Sequence, residues 1–175
     1  MLLLIKLSAR LFAIINSEES PTQICAGVAL GAWIGLIPIG LLPTIMLFLC
    51  FLVNVNIAML GVTAAVFKLL AFAVDPVANQ LGYTLLAKTG GLQPFWSSLY
   101  NTPLVPYTRF NNTIVLGSFV IGFLLLIPIF LLARVGLNNY RRRYRDQIAN
   151  SKFMKALKAS NFYRYYAAFR DLRGQ

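Results

Sequence analysis

The chain has 175 residues, 58% of them hydrophobic and 12% charged, where a soluble domain carries about a quarter charged. A soluble fold of this length cannot hide so much apolar surface, so lipid must cover part of it. With no histidine, five acids (Glu18, Glu19, Asp75, Asp146, Asp171) and two cysteines in apolar sequence (Cys25, Cys50), the composition argues against general-base chemistry, a carboxylate dyad and a disulfide. It marks no catalytic, cofactor or metal residue and points to a protein that is not an enzyme.

Residues 1–19 open on Leu, Ile and Phe with Lys6 and Arg10 inside the apolar stretch rather than ahead of it. Lys6, Arg10, Ala13 and Ser17 share a helical face, the pattern of an amphipathic helix lying in the membrane interface rather than of a cleaved signal. Ser20-Pro21 then reads as an N-cap followed by a first-turn proline.

No charged side chain occurs from residue 24 to residue 67, a run longer than the roughly 20 residues that cross a bilayer. Pro38, Gly40 and Pro43 break it near its middle. Each piece is too short to span, so residues 21–53 are expected to form a Pro/Gly-broken helical hairpin that is re-entrant in the membrane, with its turn at Pro38, Gly40 and Pro43. Non-helical backbone at that depth is tolerated only inside protein or against water. Gly27, Gly31 and Gly35 lie on one face of the first piece, where bare backbone lets helices approach closely. That face fits packing against a neighbouring helix or docking of a partner.

Two further transmembrane helices are expected at 57–74, ended by Asp75-Pro76, and at 113–133, a run without charge. The external loop 75–112 between them is rich in Pro, Gly and interfacial aromatics such as Phe95, Trp96, Tyr100 and Tyr107. Asn54, Asn56, Lys68, Asp75 and Asn79 are the polar groups in or near the membrane, and ionisable groups there usually face a partner or a wet cavity. Residues 20–137 thus form one membrane domain, and 138–175 a basic amphipathic tail. The tail's Arg141, Arg142, Arg143 and Arg145 are expected to meet anionic headgroups. Of the net charge of +11, nine units fall from Arg134 onward, which puts the tail in the cytoplasm by the positive-inside rule. With Lys6 and Arg10 also inside, both termini are cytoplasmic.

Ser20-Pro21, the segment Ala26-Gly27-Val28-Ala29-Leu30-Gly31-Ala32-Trp33-Ile34-Gly35, and then Pro38, Gly40 and Pro43 resemble the signature of a bacterial membrane family, domain of unknown function 2062. Asn54 or Asn56 matches that family's asparagine. Asp75-Pro76 stands where the family has Asn-Pro, and Gly82-Tyr83 reverses its Tyr and Gly. The resemblance covers roughly residues 20–86. It implies an all-α integral membrane fold, a location in the bacterial inner membrane and a link to a large envelope protein.

The expected function is therefore a small inner-membrane accessory or anchor subunit that docks a larger envelope protein, in lipid or envelope-component transport. The alternative is a small transporter or lipid scramblase that uses the broken hairpin as a polar groove. The expected partners are membrane lipids and that protein, not nucleic acid.

Overall fold

The computed structural model describes residues 20–149, with side chains as far as Arg143. The expected interfacial helix at 1–19, the tail beyond Ala149 and the side chain of Arg145 lie outside the described residues. Within them the chain is all-helical, with no strand. It divides into a unit ending at Val135 and a second that takes in Gly136 onward.

Helix α1 spans Pro21–Leu36. Pro21 sits at its start, where a missing N–H costs nothing, and the Ser20 carbonyl accepts from Gln23 N (3.0 Å) and Ile24 N (3.3 Å). The Ser20 side chain makes no cap bond. After Ile37–Gly40, helix α2 spans Leu41–Leu52. The turn is tighter than the sequence implied: Pro43 lies inside the first turn of α2, where its lack of an N–H is again harmless. Helix α2 folds back along α1, so that Cys50 joins Ile34, Val55 and Leu60 in one apolar cluster. The N–H of Asn56, just past the end of α2, donates to Gln23 O at the start of α1 (3.1 Å).

Helix α3 spans Ile57–Tyr83, capped by Asn56, whose side chain accepts from Met59 N at 2.7 Å. It runs parallel to α1 in a fixed register. A Cβ at Gly27 would come within 2.5 Å of Asn56 O, one at Gly35 within 2.5 Å of Ala64 O, and one at Gly31 would collide with Leu60 O. The three glycines thus bring α1 onto the backbone of α3, each against the residue 29 positions later.

The expected end at Asp75-Pro76 is not observed. Pro76 lies inside α3, where it deprives the Phe72 carbonyl of its helical donor, yet the helix continues for seven more residues to Tyr83. Packing holds that extension. Ala78 and Gly82 are buried, and helix α5, spanning Thr113–Ala149, runs antiparallel against them. A Cβ at Gly82 would strike Thr113 O, and one at Gly117 would strike Ala78 O. The loop expected at 75–112 is therefore 84–112. It is built of short turns and helix α4, Gln93–Tyr100. Helix α5 likewise passes its expected end at residue 133 and carries Pro128 within it.

The loop is ordered by its aromatics. Trp96 Nε1 donates to Leu85 O at 2.9 Å, its ring stacks on that of Phe110 at 6.0 Å, and Phe110 is buried. Leu104 (φ 71°) and Arg109 (φ 57°) adopt left-handed conformations that non-glycine residues rarely take. They flank the Val105–Thr108 turn, which lies against α2.

Helices Ile57–Lys88 and Thr113–Arg143, taken with their flanking turns, are each long and apolar enough to cross a membrane. At 1.5 Å per residue α1 is only about 24 Å long, against about 40 Å for α3.

Because α3 backbone atoms occupy the space beside Gly31, Gly31→Leu is expected to cost more than about 3 kcal/mol, at or above the overpacking range. Leu69→Ala, at a position 72% exposed, should leave stability nearly unchanged. Thermal unfolding in detergent compares the two.

Candidate functional site

Helix α1 stops beside the middle of α3, and its last carbonyls have no helical donors. Lys68 answers this need, its ammonium donating to the Ile37 carbonyl. The lysine is half-buried and places a cation at the negative end of the α1 dipole, the favourable sign. The sequence marks Lys68 as an intramembrane polar group, and in the structure its ammonium meets a backbone carbonyl of the neighbouring helix connection.

Two turns further along α3 lies Asp75. Its Oδ1 is shielded from solvent and has no hydrogen-bond partner among the described residues. Lys68 and Asp75, seven residues apart on α3, form no bond to each other. Ser118 Oγ, on α5, is likewise buried without a partner. Asp75 is three residues before Ala78 and Ser118 adjoins Gly117, so both orphaned groups flank the closest approach of α3 and α5.

Trp33 ties α1 to α5. Its Nε1 donates to Phe119 O at 2.9 Å, and its ring meets those of Phe119 at 5.0 Å and Phe123 at 5.6 Å. Gly122 makes room for the indole, since a Cβ there would collide with Trp33 Cδ1.

The remaining polar positions separate into distinct places. Asn56 is buried as the α3 cap, whereas Asn54 is exposed in the connection. Asn79 Oδ1 accepts from Thr113 Oγ1 where α5 begins. Gly27, Gly31 and Gly35 are consumed by α3, so that face is not open to a partner. Pro38 and Gly40 form the tip of the α1–α2 hairpin. In the second unit, Arg142 and Arg143 are exposed and Arg141 half-buried on α5. Sequence reasoning missed Trp33, Ser118 and the Gly82, Gly117 and Gly122 contacts. The signal available was small residues inside otherwise bulky apolar helices.

A family model described as an uncharacterized protein conserved in bacteria (DUF2062) matches residues 6–146. The chain belongs to this family. The match extends past the resemblance at 20–86 to take in the loop and most of α5. A protein of Treponema pallidum (strain Nichols), described as an uncharacterized protein, is 30% identical over 132 residues, 75% of this chain and 81% of its own length. No solved structure matches. In this family member the Asp75-Pro76 pair lies within α3 and at no helix end.

Lys68→Met removes the donor at Ile37 O and should lower stability by about 1.5–3 kcal/mol, the range for a hydrogen bond to a charged group. Lys68→Arg should recover most of it. Unfolding midpoints of the three proteins in one detergent check this.

Proposed function

We propose that this chain is a small, non-catalytic subunit of the bacterial inner membrane that anchors a larger envelope protein through the α1–α2 hairpin. In this reading α3 and α5 are the crossings, both termini are cytoplasmic, and the hairpin enters and leaves on the cytoplasmic side.

The observation that carries the reading is the exposure of the hairpin from its tip at Ile39 to the end of α2. Ile39 is 86% exposed and Leu52 74%, and Cys50 is the sole buried residue of α2. Helix α2 has no side-chain cap at its start, which leaves the N–H groups of Leu41 and Leu42 without an intrahelical acceptor. Lipid cannot satisfy them, and in hydrocarbon each costs several kcal/mol. A protein segment laid on the tip supplies both apolar contact and acceptors. With α1 occupied by α3, the docking surface is α2 rather than the glycine face. The occupant is a membrane-embedded helix of the partner, because the exposed side chains from Ile39 to Val53 carry no charge. Transport of lipid or another envelope component is the process such an anchor serves.

A second reading, a small transporter or scramblase, draws on Lys68, Asp75 and Ser118. Polar groups near the end of a half-length helix are what broken-helix transporters use. A reconstituted flux or lipid-scrambling assay separates the readings.

Photo-crosslinkers at Phe48 and Leu52 should join one large membrane-anchored protein in native membranes, and the same protein should co-purify with the unmodified chain. A probe at Leu132 on α5 should give lipid adducts alone. Lipid adducts alone at all three positions, with no co-purifying protein, would sink the anchor reading. Reporter fusions at Gln175 and within 90–105 should report opposite sides, and the same side for both would overturn the topology.

A further inference from the structure

We infer that the Val105–Thr108 turn is a strap over the hairpin, held under backbone strain at both of its ends, that lifts from α2 to admit the partner helix. The admission step rests on the anchor reading, whereas the strap is a property of the purified chain.

The strain lies at two residues. Leu104 (φ 71°, ψ −26°) and Arg109 (φ 57°, ψ 30°) bracket the turn, and they are the non-glycine residues with positive φ among those described. That conformation crowds Cβ against the following carbonyl, and glycine alone adopts it routinely, with asparagine and aspartate doing so occasionally. It persists where the surroundings hold it. The two side chains do not supply the hold, since Leu104 is 73% exposed and Arg109 is exposed as well. The hydrogen bonds of the turn, Tyr107 N to Leu104 O at 3.2 Å and Arg109 N to Pro106 O at 3.0 Å, are local and do not require α2. Burial falls between the strained residues instead. Val105, Pro106 and Thr108 are half-buried, and the turn lies against α2. Contact with α2 is therefore what keeps both ends left-handed.

The same two positions are where a strap hinges. After Arg109, the buried Phe110 ring stacks on Trp96 and fixes that end to the rest of the loop. Before Leu104, Thr102 Oγ1 donates to Ser98 O at 3.2 Å and ties the chain to α4, and Pro103 has a restricted backbone. A few loop residues that absorb a large φ/ψ change make a hinge. When the turn leaves α2, Leu104 and Arg109 relax to ordinary backbone, which offsets part of the lost contact. The strap is poised in this way between two positions. The surface it touches is the one offered for docking. Phe48 and Leu52 of α2 are exposed, and a partner helix laid along α2 competes with the turn for it.

The test measures spin–spin distances in the full chain in a lipid bilayer, with nitroxides at Phe48→Cys and Tyr107→Cys. Cys25 and Cys50 are buried, and the chain without introduced cysteines sets the background. The unaltered loop should give a short and a long distance, for the strapped and lifted turn. Leu104→Gly with Arg109→Gly removes the strain and should raise the ratio of short to long roughly tenfold. Leu104→Asn with Arg109→Asn should shift it in the same direction by less, and guards against a glycine variant that does not fold. Thr102→Gly adds freedom to the loop with no left-handed residue to relieve, so it should not favour the short distance. A single distance in the unaltered loop, or glycines at 104 and 109 that leave the ratio unchanged or favour the long distance, would overturn the strap. In native membranes, photo-crosslinking from Phe48 to the partner should fall several-fold in the glycine pair. An undiminished yield would overturn the admission step. Failure to join any partner would overturn the anchor reading and the admission step with it, while the distances still decide the strap.

Discussion

The contact between the bare backbone of α1 and the carbonyls of α3 sets most of what this molecule does. Helices packed through leucines stand 8–10 Å apart. Here Gly27, Gly31 and Gly35 remove the side chains at the crossing, and backbone meets backbone at three successive turns. In lipid no hydrophobic drive separates helix from solvent, so this close van der Waals fit is what holds such a pair. Once α1 is seated in parallel on α3, its end must lie beside Lys68, and its start, at Gln23, must lie beside Asn56. The connection through α2 then has one course open to it, back along α1 to the cap of α3.

The same device recurs on the far half of α3. Gly82 and Gly117 admit Thr113 and Ala78, and Gly122 admits the Trp33 ring. Helix α3 is thus the common spine, with α1 on its first half and α5 on its second, and Trp33 joins the two clients. Asp75 and Lys68 lie between these two seams, beyond the end of α1 and before the approach of Ala78 to α5. Ionisable groups are placed there because a half-length helix leaves polar ends that a continuous helix would not.

The seam, the turn and the short helices were legible in the sequence because each has a local cause. Glycines at four-residue spacing, Ser20-Pro21, and Pro38 with Gly40 act on the backbone where they stand. The extent of α3 was not legible. Asp75-Pro76 has the chemistry of a helix end, and what overrides it is packing of Ala78 and Gly82 against α5, some 35 residues away in sequence. The partner of Lys68 was hidden for a similar reason, since Ile37 is 31 residues distant and a backbone carbonyl carries no sequence mark. The loop at 84–112 showed its aromatics but not their arrangement, because the left-handed turns at Leu104 and Arg109 fall on residues that do not advertise them. The unpartnered Ser118 hydroxyl belongs to a residue too common in apolar helices to single out.

The central claim is that the α1–α2 hairpin ends partway across the bilayer and returns. The most direct measurement is the depth of spin labels at Thr22, Ile39 and Asn54 in a lipid bilayer, read from the relative accessibility to oxygen and to a water-soluble paramagnetic metal chelate. The account predicts Thr22 and Asn54 at the same surface, exposed to the chelate, and Ile39 well below it and rich in oxygen contact. A chelate-accessible Ile39 at the opposite surface would contradict it, because α1 and α2 would then be full crossings.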